Sequence, residues 1–281
     1  MDDRNGLMPP RPVMVADLFA EILDGLLELL SGLEASDWEE STVCTGWTVK
    51  DVALHLLGVE ISNLSSRRDG HRQGASVDSW AELVVLINSW NAEWVRVARR
   101  ISPPLLIDLL QITGRQMNDY FHTLDPYQTG DPVSWVGPQP APVWLDLARE
   151  FTERWHHQQH IRDATCQPGF KEPRFLAPVL ATFARAMPRT FAAVTASKGT
   201  VATLTITGNS GGRWSVMREQ DGWELFSGST AGPTAEMILD EDSAWRLFTR
   251  GLTADQARAR AVLKGDPVLG LQVLKMVSII A

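Results

Sequence analysis

The sequence predicts a helical N-terminal domain followed by a smaller α+β domain. Three observations carry that expectation. Apolar residues recur at intervals of three and four through the first 166 positions, the signature of amphipathic helices. From Val201 the pattern changes to β-branched alternation punctuated by turn residues. A composition of 44% hydrophobic and 21% charged residues over 281 positions is that of a packed globular chain, long enough for two domains.

The first helix is expected over Val13–Leu33, where Phe19, Ile22, Leu23, Leu26, Leu30 and Leu33 share a face. Thr48 with Asp51 three residues later resembles a capping box and opens a second helix that runs to about Ser66. A polar loop, Arg67 to Ala75, follows it. The third helix has the cleanest period, from Trp80 through Trp90 and Trp94 to Ile101, and Ser102-Pro103-Pro104 breaks it. A fourth covers Leu105–Leu124. After a loop with five prolines, a fifth spans Val143–Cys166. Long amphipathic helices of this kind form an antiparallel bundle, and bundles build their sites in the core. Beyond a linker helix at Phe175–Val194, strands are expected at Val201–Thr207, Trp214–Arg218, Trp223–Phe226, Ala235–Leu239 and Arg260–Leu263. Helices are expected at Asp242–Arg250 and Pro267–Val277. The domains are thus placed at 1–170 and 171–281.

Charge and composition exclude several functions. A net charge of −8 argues against nucleic acid as the main ligand, because a phosphate backbone selects a basic face. The longest apolar runs, such as Leu26–Leu30, are far short of the ~20 residues that cross a bilayer. Met1–Pro12 is polar and lacks the apolar core of a secretory signal. Two cysteines, Cys44 and Cys166, imply no disulfide framework, which makes the cytoplasm the expected compartment. Neither has a histidine or basic residue at motif spacing, so both are read as structural.

Six histidines remain to be explained. His156 and His160 are four apart, share one helix face and can grip one metal ion. At about 100° per residue, Trp144, Ala148, Phe151 and Trp155 form an apolar stripe. His156 and His160 lie nearer to that stripe, whereas His157 falls nearly opposite it beside Glu153 and is expected to face water. His55 sits in an apolar run, where a neutral imidazole needs two hydrogen-bond partners or a metal. His55, His156 and His160 together offer three ligands with an open coordination position, the pattern of catalytic zinc. Imidazoles also suit nickel, iron and copper. His71, in the polar loop, and His122, near a helix end, are read as structural or surface residues.

The segment Cys44-Thr-Gly-Trp-Thr-Val-Lys-Asp-Val-Ala-Leu-His-Leu-Leu-Gly58 resembles the Gly-Trp-(Ser/Thr)-Val-x-Asp-x-x-x-His-Leu signature of DinB-like, mycothiol-dependent maleylpyruvate isomerase domains. A later family motif is a metal ligand, three residues, a histidine, two residues, then Asp or Gln. Placed on His156, His160 and Asp163, it fits the spacing of about 100 residues between the two motifs. Lys264-Gly-Asp-Pro267 resembles part of the sterol-carrier-protein-like domain that follows in these isomerases. The resemblance implies a four-helix bundle holding a divalent metal, usually zinc, that binds the thiol of mycothiol. Carried over, the ligands are His55, His156 and His160. The isomerases proper have a glutamate where this placement puts His156. A register on Glu153 and His157 would restore it but was expected to point outward.

These readings converge on a zinc-dependent thiol enzyme. A free thiol, with a pKa of about 8.5, is deprotonated on coordination. The thiolate then adds to an electrophilic small molecule, giving S-transfer or, after rotation and elimination, cis–trans isomerisation. Arg154 and Arg260 are the candidates for steering an anionic substrate, in a cleft between the domains, and Trp47 and Arg149 for contacting the cofactor. Asp163 either orients a ligand histidine or is solvated. The alternatives are a metal-dependent hydrolase and a non-catalytic protein that binds a small ligand.

Overall fold

The computed structural model describes residues 6–72 and 79–279. They form two compact units, and neither is a single stretch of chain. Residues 15–128 and 150–170 make the helical unit. Residues 6–14, 129–149 and 171–279 make the second.

In the helical unit, α1 covers Phe19–Ser31 and α2 Val49–Asn63. The capping box at the start of α2 is formed: Asp51 N donates to Thr48 Oγ1, and Thr48 N donates to Asp51 Oδ2. Past Asn63 the helix widens into a π turn over Leu64–Arg68. The loop expected after it falls partly on residues 73–78, outside the described residues. Helix α3 covers Trp80–Ala98 and α4 Pro103–His122. The proline pair that ends the third helical pattern also begins α4, since a proline at the first helical position loses no hydrogen bond.

The burial of these helices inverts what their periodicity suggests. The cleanly amphipathic α3 buries only Val95 and Ala98 and leaves Val85, Trp90 and Val97 exposed. Helix α2, with little one-sided pattern, is buried continuously from Asp51 to Leu57. The last helix of the bundle, α5 at Val143–Ala164, is likewise enclosed from Glu150 to Arg162, with Glu153 alone half-exposed. A helix surrounded on all sides has no polar face to display. Leu26, Leu30, Val52, Leu56, Leu106, Leu110 and Ile161 share one core. Arg99 at the end of α3 ties onto α2 through two 2.8 Å bonds to Asp51.

The second unit is built on a six-stranded sheet. Its strands are β1 (Leu7–Met8), β4 (Val201–Thr207), β5 (Gly212–Arg218), β6 (Trp223–Gly228), β7 (Ala235–Asp240) and β8 (Val262–Gly265), in the order β1-β6-β5-β4-β7-β8. Only β4 and β7 run parallel. A two-residue pair, β2 (Thr129–Gly130) with β3 (Ala141–Pro142), closes the proline-rich loop. Helices α6 (Pro173–Phe183), α7 (Met187–Phe191), α8 (Glu241–Phe248), α9 (Ala254–Arg260) and α10 (Pro267–Gln272) complete it. Helix α9 departs from the sequence expectation, which began a strand at Arg260. Thr253 and Gln256 form a capping box that starts a helix, and Arg260 is its last residue. No helix among the described residues is long and apolar enough to cross a membrane.

Candidate metal centre

Two largely buried helix segments face each other in the bundle, and both carry imidazoles. His55 on α2 is buried, and its Nε2 donates to Glu153 Oε1 on α5 at 3.0 Å. His157, one turn beyond Glu153, brings its own Nε2 to 3.2 Å from the same oxygen. The ligand atoms of His55, Glu153 and His157 all lie within 4.8 Å of one another. Two ligands at about 2.0–2.1 Å from a tetrahedral zinc sit about 3.3 Å apart, so these separations suit one ion.

The electrostatics suit a cation as well. Burial pushes the His157 imidazole down to about 3, with the His156 ring adding to the effect, and burial lowers His156 too. Glu153 is held well below the usual carboxylate range: burial opposes this, and the His157 and His55 rings outweigh it. Glu153 therefore stands as a carboxylate beside the neutral His157 ring, which carries a single negative charge into a largely buried place and fits a divalent metal.

The structure corrects the expectation that His157 faces water. The apolar stripe of Trp144, Ala148, Phe151 and Trp155 suggests a single inside face for α5, but every residue from 150 to 162 except Glu153 is buried, and His157 is 8% exposed. His156 is buried as well, and its Nδ1 donates to the Thr152 carbonyl at 2.8 Å. It belongs to neither close group of ligand atoms among the described residues, so His55, His156 and His160 are not brought together at that range. His160 belongs to a second group, with Cys44 and His157. Asp163 is exposed.

The loop before α2 places two further residues here. Trp47 N donates to the Cys44 carbonyl at 2.9 Å, Cys44 N to Thr42 Oγ1 at 3.2 Å, and Gly46 takes φ +78°, which glycine adopts without strain. This tight turn sets the Trp47 ring 5.2 Å from that of His55 and the Cys44 sulfur 3.2 Å from His160 Nδ1. No histidine stands at motif spacing from Cys44, and the one that the fold brings to it lies 116 residues away in sequence. Burial raises the Cys44 thiol to about 11.

The arginines are largely engaged elsewhere. Arg154 is buried, bonded to Glu150 Oε2 at 2.7 Å, 3.8 Å from Glu60 and stacked on the rings of Phe19 and Phe121. It is the cation that faces both buried carboxyl groups. Arg149 pairs with Asp146 on its own helix. Arg260 ends α9 in the second unit and is exposed. His122 is also exposed and bonds the Asn118 carbonyl, as a surface residue would.

Residues 19–162 match the mycothiol maleylpyruvate isomerase N-terminal domain family. The chain belongs to this family. The family resemblance read from the two motifs is thereby upheld. The fold is similar to that in the crystal structure of the mycothiol-dependent maleylpyruvate isomerase, at a TM-score of 0.52 and 13% identity, covering 84% of this chain and 88% of that one. A mutant of that isomerase matches over the same shares of the two chains, with 13% identity and a TM-score of 0.48. No curated protein matches the chain significantly. Within the family motif, the register that converges on His55 is Glu153-x-x-x-His157, and His160 then stands where the family pattern has Asp or Gln.

Proposed function

We propose that this chain is a metal-dependent thiol enzyme, with mycothiol as the thiol and a small electrophile, maleylpyruvate being the first to test, as the substrate. The convergence of His55, Glu153 and His157 from two enclosed helices carries the reading. His55, Glu153 and His157 would hold a divalent metal, zinc by the chemistry of the donor set. A metal bound there lowers the pKa of a coordinating thiol from about 8.5, so that the thiolate is available at neutral pH.

The chain's own groups supply the rest. Three ligands leave a position open for the cofactor's sulfur. Glu153 would offset one positive charge of the metal, and without metal it accepts from both partner rings and keeps them in place. Trp47 flanks His55 and limits water on that side. The glutamate missing from the His156 placement is present in Glu153, which favours cis–trans isomerisation over S-transfer alone. Isomerisation by a thiolate is addition to the conjugated double bond, rotation and elimination.

The test is turnover of maleylpyruvate by the zinc-loaded protein, assayed with mycothiol, with other thiols and with none. Turnover that requires both metal and mycothiol is expected. Metal-dependent turnover equally fast without thiol would replace this reading with a hydrolase. Mycothiol binding without turnover of any electrophile would leave a ligand-binding protein.

A further inference from the structure

We propose that Cys44, His157 and His160 form a second metal-binding triad, which shares His157 with the first and gives the ion a protein thiolate. The inference rests on the reading above that His157 is a metal ligand. Three observations carry it. The ligand atoms of the three side chains lie within 4.8 Å of one another. The Cys44 sulfur is already 3.2 Å from His160 Nδ1, close to the ~3.5 Å that a sulfur at about 2.3 Å and a nitrogen at about 2.0 Å span on one tetrahedral ion. His157 has Nδ1 buried with no hydrogen-bond partner among the described residues, in addition to the Nε2 that faces Glu153.

A neutral imidazole has one lone pair and serves one ion at a time. The triads are therefore alternatives: carboxylate and two imidazoles, or thiolate and two imidazoles. Each supplies one negative charge. In the second, Cys44 releases its proton to solvent as it coordinates, and its sulfur supplies the negative charge that the Glu153 carboxylate supplies in the first. Cys44 then competes with Glu153 for the ion, and His160, standing where the family pattern has Asp or Gln, makes that competition possible.

Cobalt(II) is the probe. The metal-free full-length chain is titrated with cobalt(II), with stoichiometry followed by equilibrium dialysis and coordination by absorption. A near-ultraviolet sulfur-to-cobalt charge-transfer band is expected in Glu153→Gln, where the first triad is weakened, stronger than in the wild type. It should vanish in Glu153→Gln/Cys44→Ser and persist in Glu153→Gln/Cys166→Ser, because the exposed Cys166 takes no part. The single variant Cys44→Ser should still bind one equivalent through the first triad. One equivalent of cobalt with no charge-transfer band in either wild type or Glu153→Gln overturns the second triad and leaves the proposed function standing. A band that follows Cys166 overturns it equally. No cobalt bound by the wild type overturns both.

Discussion

The imidazole of His55 and the carboxylate of Glu153, 98 residues apart in sequence, meet at 3.0 Å between α2 and α5. The contact joins two largely buried stretches of helix, with Glu153 itself partly exposed. His157 places its own Nε2 3.2 Å from the same oxygen, which brings a third donor to the pair.

Metal content separates the two placements of the ligand set. His55→Ala, Glu153→Gln and His157→Ala should each weaken zinc binding by at least the ~10–100-fold typical of losing even an outer-shell partner. His156→Ala should leave about one zinc per chain, because His156 belongs to neither close group of ligand atoms among the described residues. Elemental analysis of the four proteins after dialysis checks this. Zinc retained by His157→Ala and lost from His156→Ala would reinstate the His156 placement.

Glu60 predicts a pH dependence. Burial raises its carboxyl to about 7, against the opposing pull of Arg154 and the Thr113 hydroxyl. The folded state then holds a proton that the unfolded chain releases near the ordinary value, so stability is lost as pH rises from about 4.5 to about 7 and is flat above. Glu60→Gln removes that loss. Its advantage over the wild type should grow across this window to on the order of 3 kcal/mol in urea unfolding. An advantage that shrinks with rising pH would refute the assignment.

Asp51 predicts the opposite slope. Its burial works against ionisation, but bonds from Arg99 and the Thr48 backbone outweigh this and hold the carboxyl below its usual value. The stabilisation is present above about pH 4 and disappears as pH falls through the lowered value. Asp51→Ala loses the helix cap and the Arg99 pair together and should cost about 1–3 kcal/mol at pH 7. The gap to wild type should narrow in the same unfolding measurement at pH 3.

Gly58 sets helix propensity against packing. Alanine in a helix interior is favoured over glycine by about 1 kcal/mol. Here a Cβ would stand 2.5 Å from Trp94 Nε1, which donates to the Leu54 carbonyl at 2.7 Å. Gly58→Ala should therefore destabilise by about 1–3 kcal/mol as Trp94 is displaced. A stabilised variant in chemical denaturation would show that α3 yields at no cost.

The helices were legible where chemistry is local. Thr48 and Asp51 announce α2, and apolar spacing locates α1, α3 and α4 within a few residues. The capping box at Thr253 is an equally local signal, and it makes Arg260 a helix end where the sequence expectation has a strand. The choice between Glu153/His157 and His156/His160 was not legible from a helical wheel. A wheel finds the inside by its apolar residues, and α5 buries Gln158, Gln159 and Arg154 along with Phe151 and Trp155. Glu-x-x-x-His in the family's own form was the available signal. The approach of Cys44 to His160 had none, because a loop and a helix far apart in the chain create it.

The pairing of Leu7 with Gly228 and of Met8 with Ser227 has a consequence for the order of assembly. The strand that completes the sheet leaves the ribosome about 220 residues before its partner. At ~5–20 residues per second, that is a wait of roughly 10–40 s. Leu7, which ends up packed with Val201, Met217 and Phe226, spends the interval without any of them. The helical unit can close during this time, so the later strand must retrieve the earlier one. A bulky group attached just before β1 should slow that last step and leave the β6 edge open to pairing with other chains.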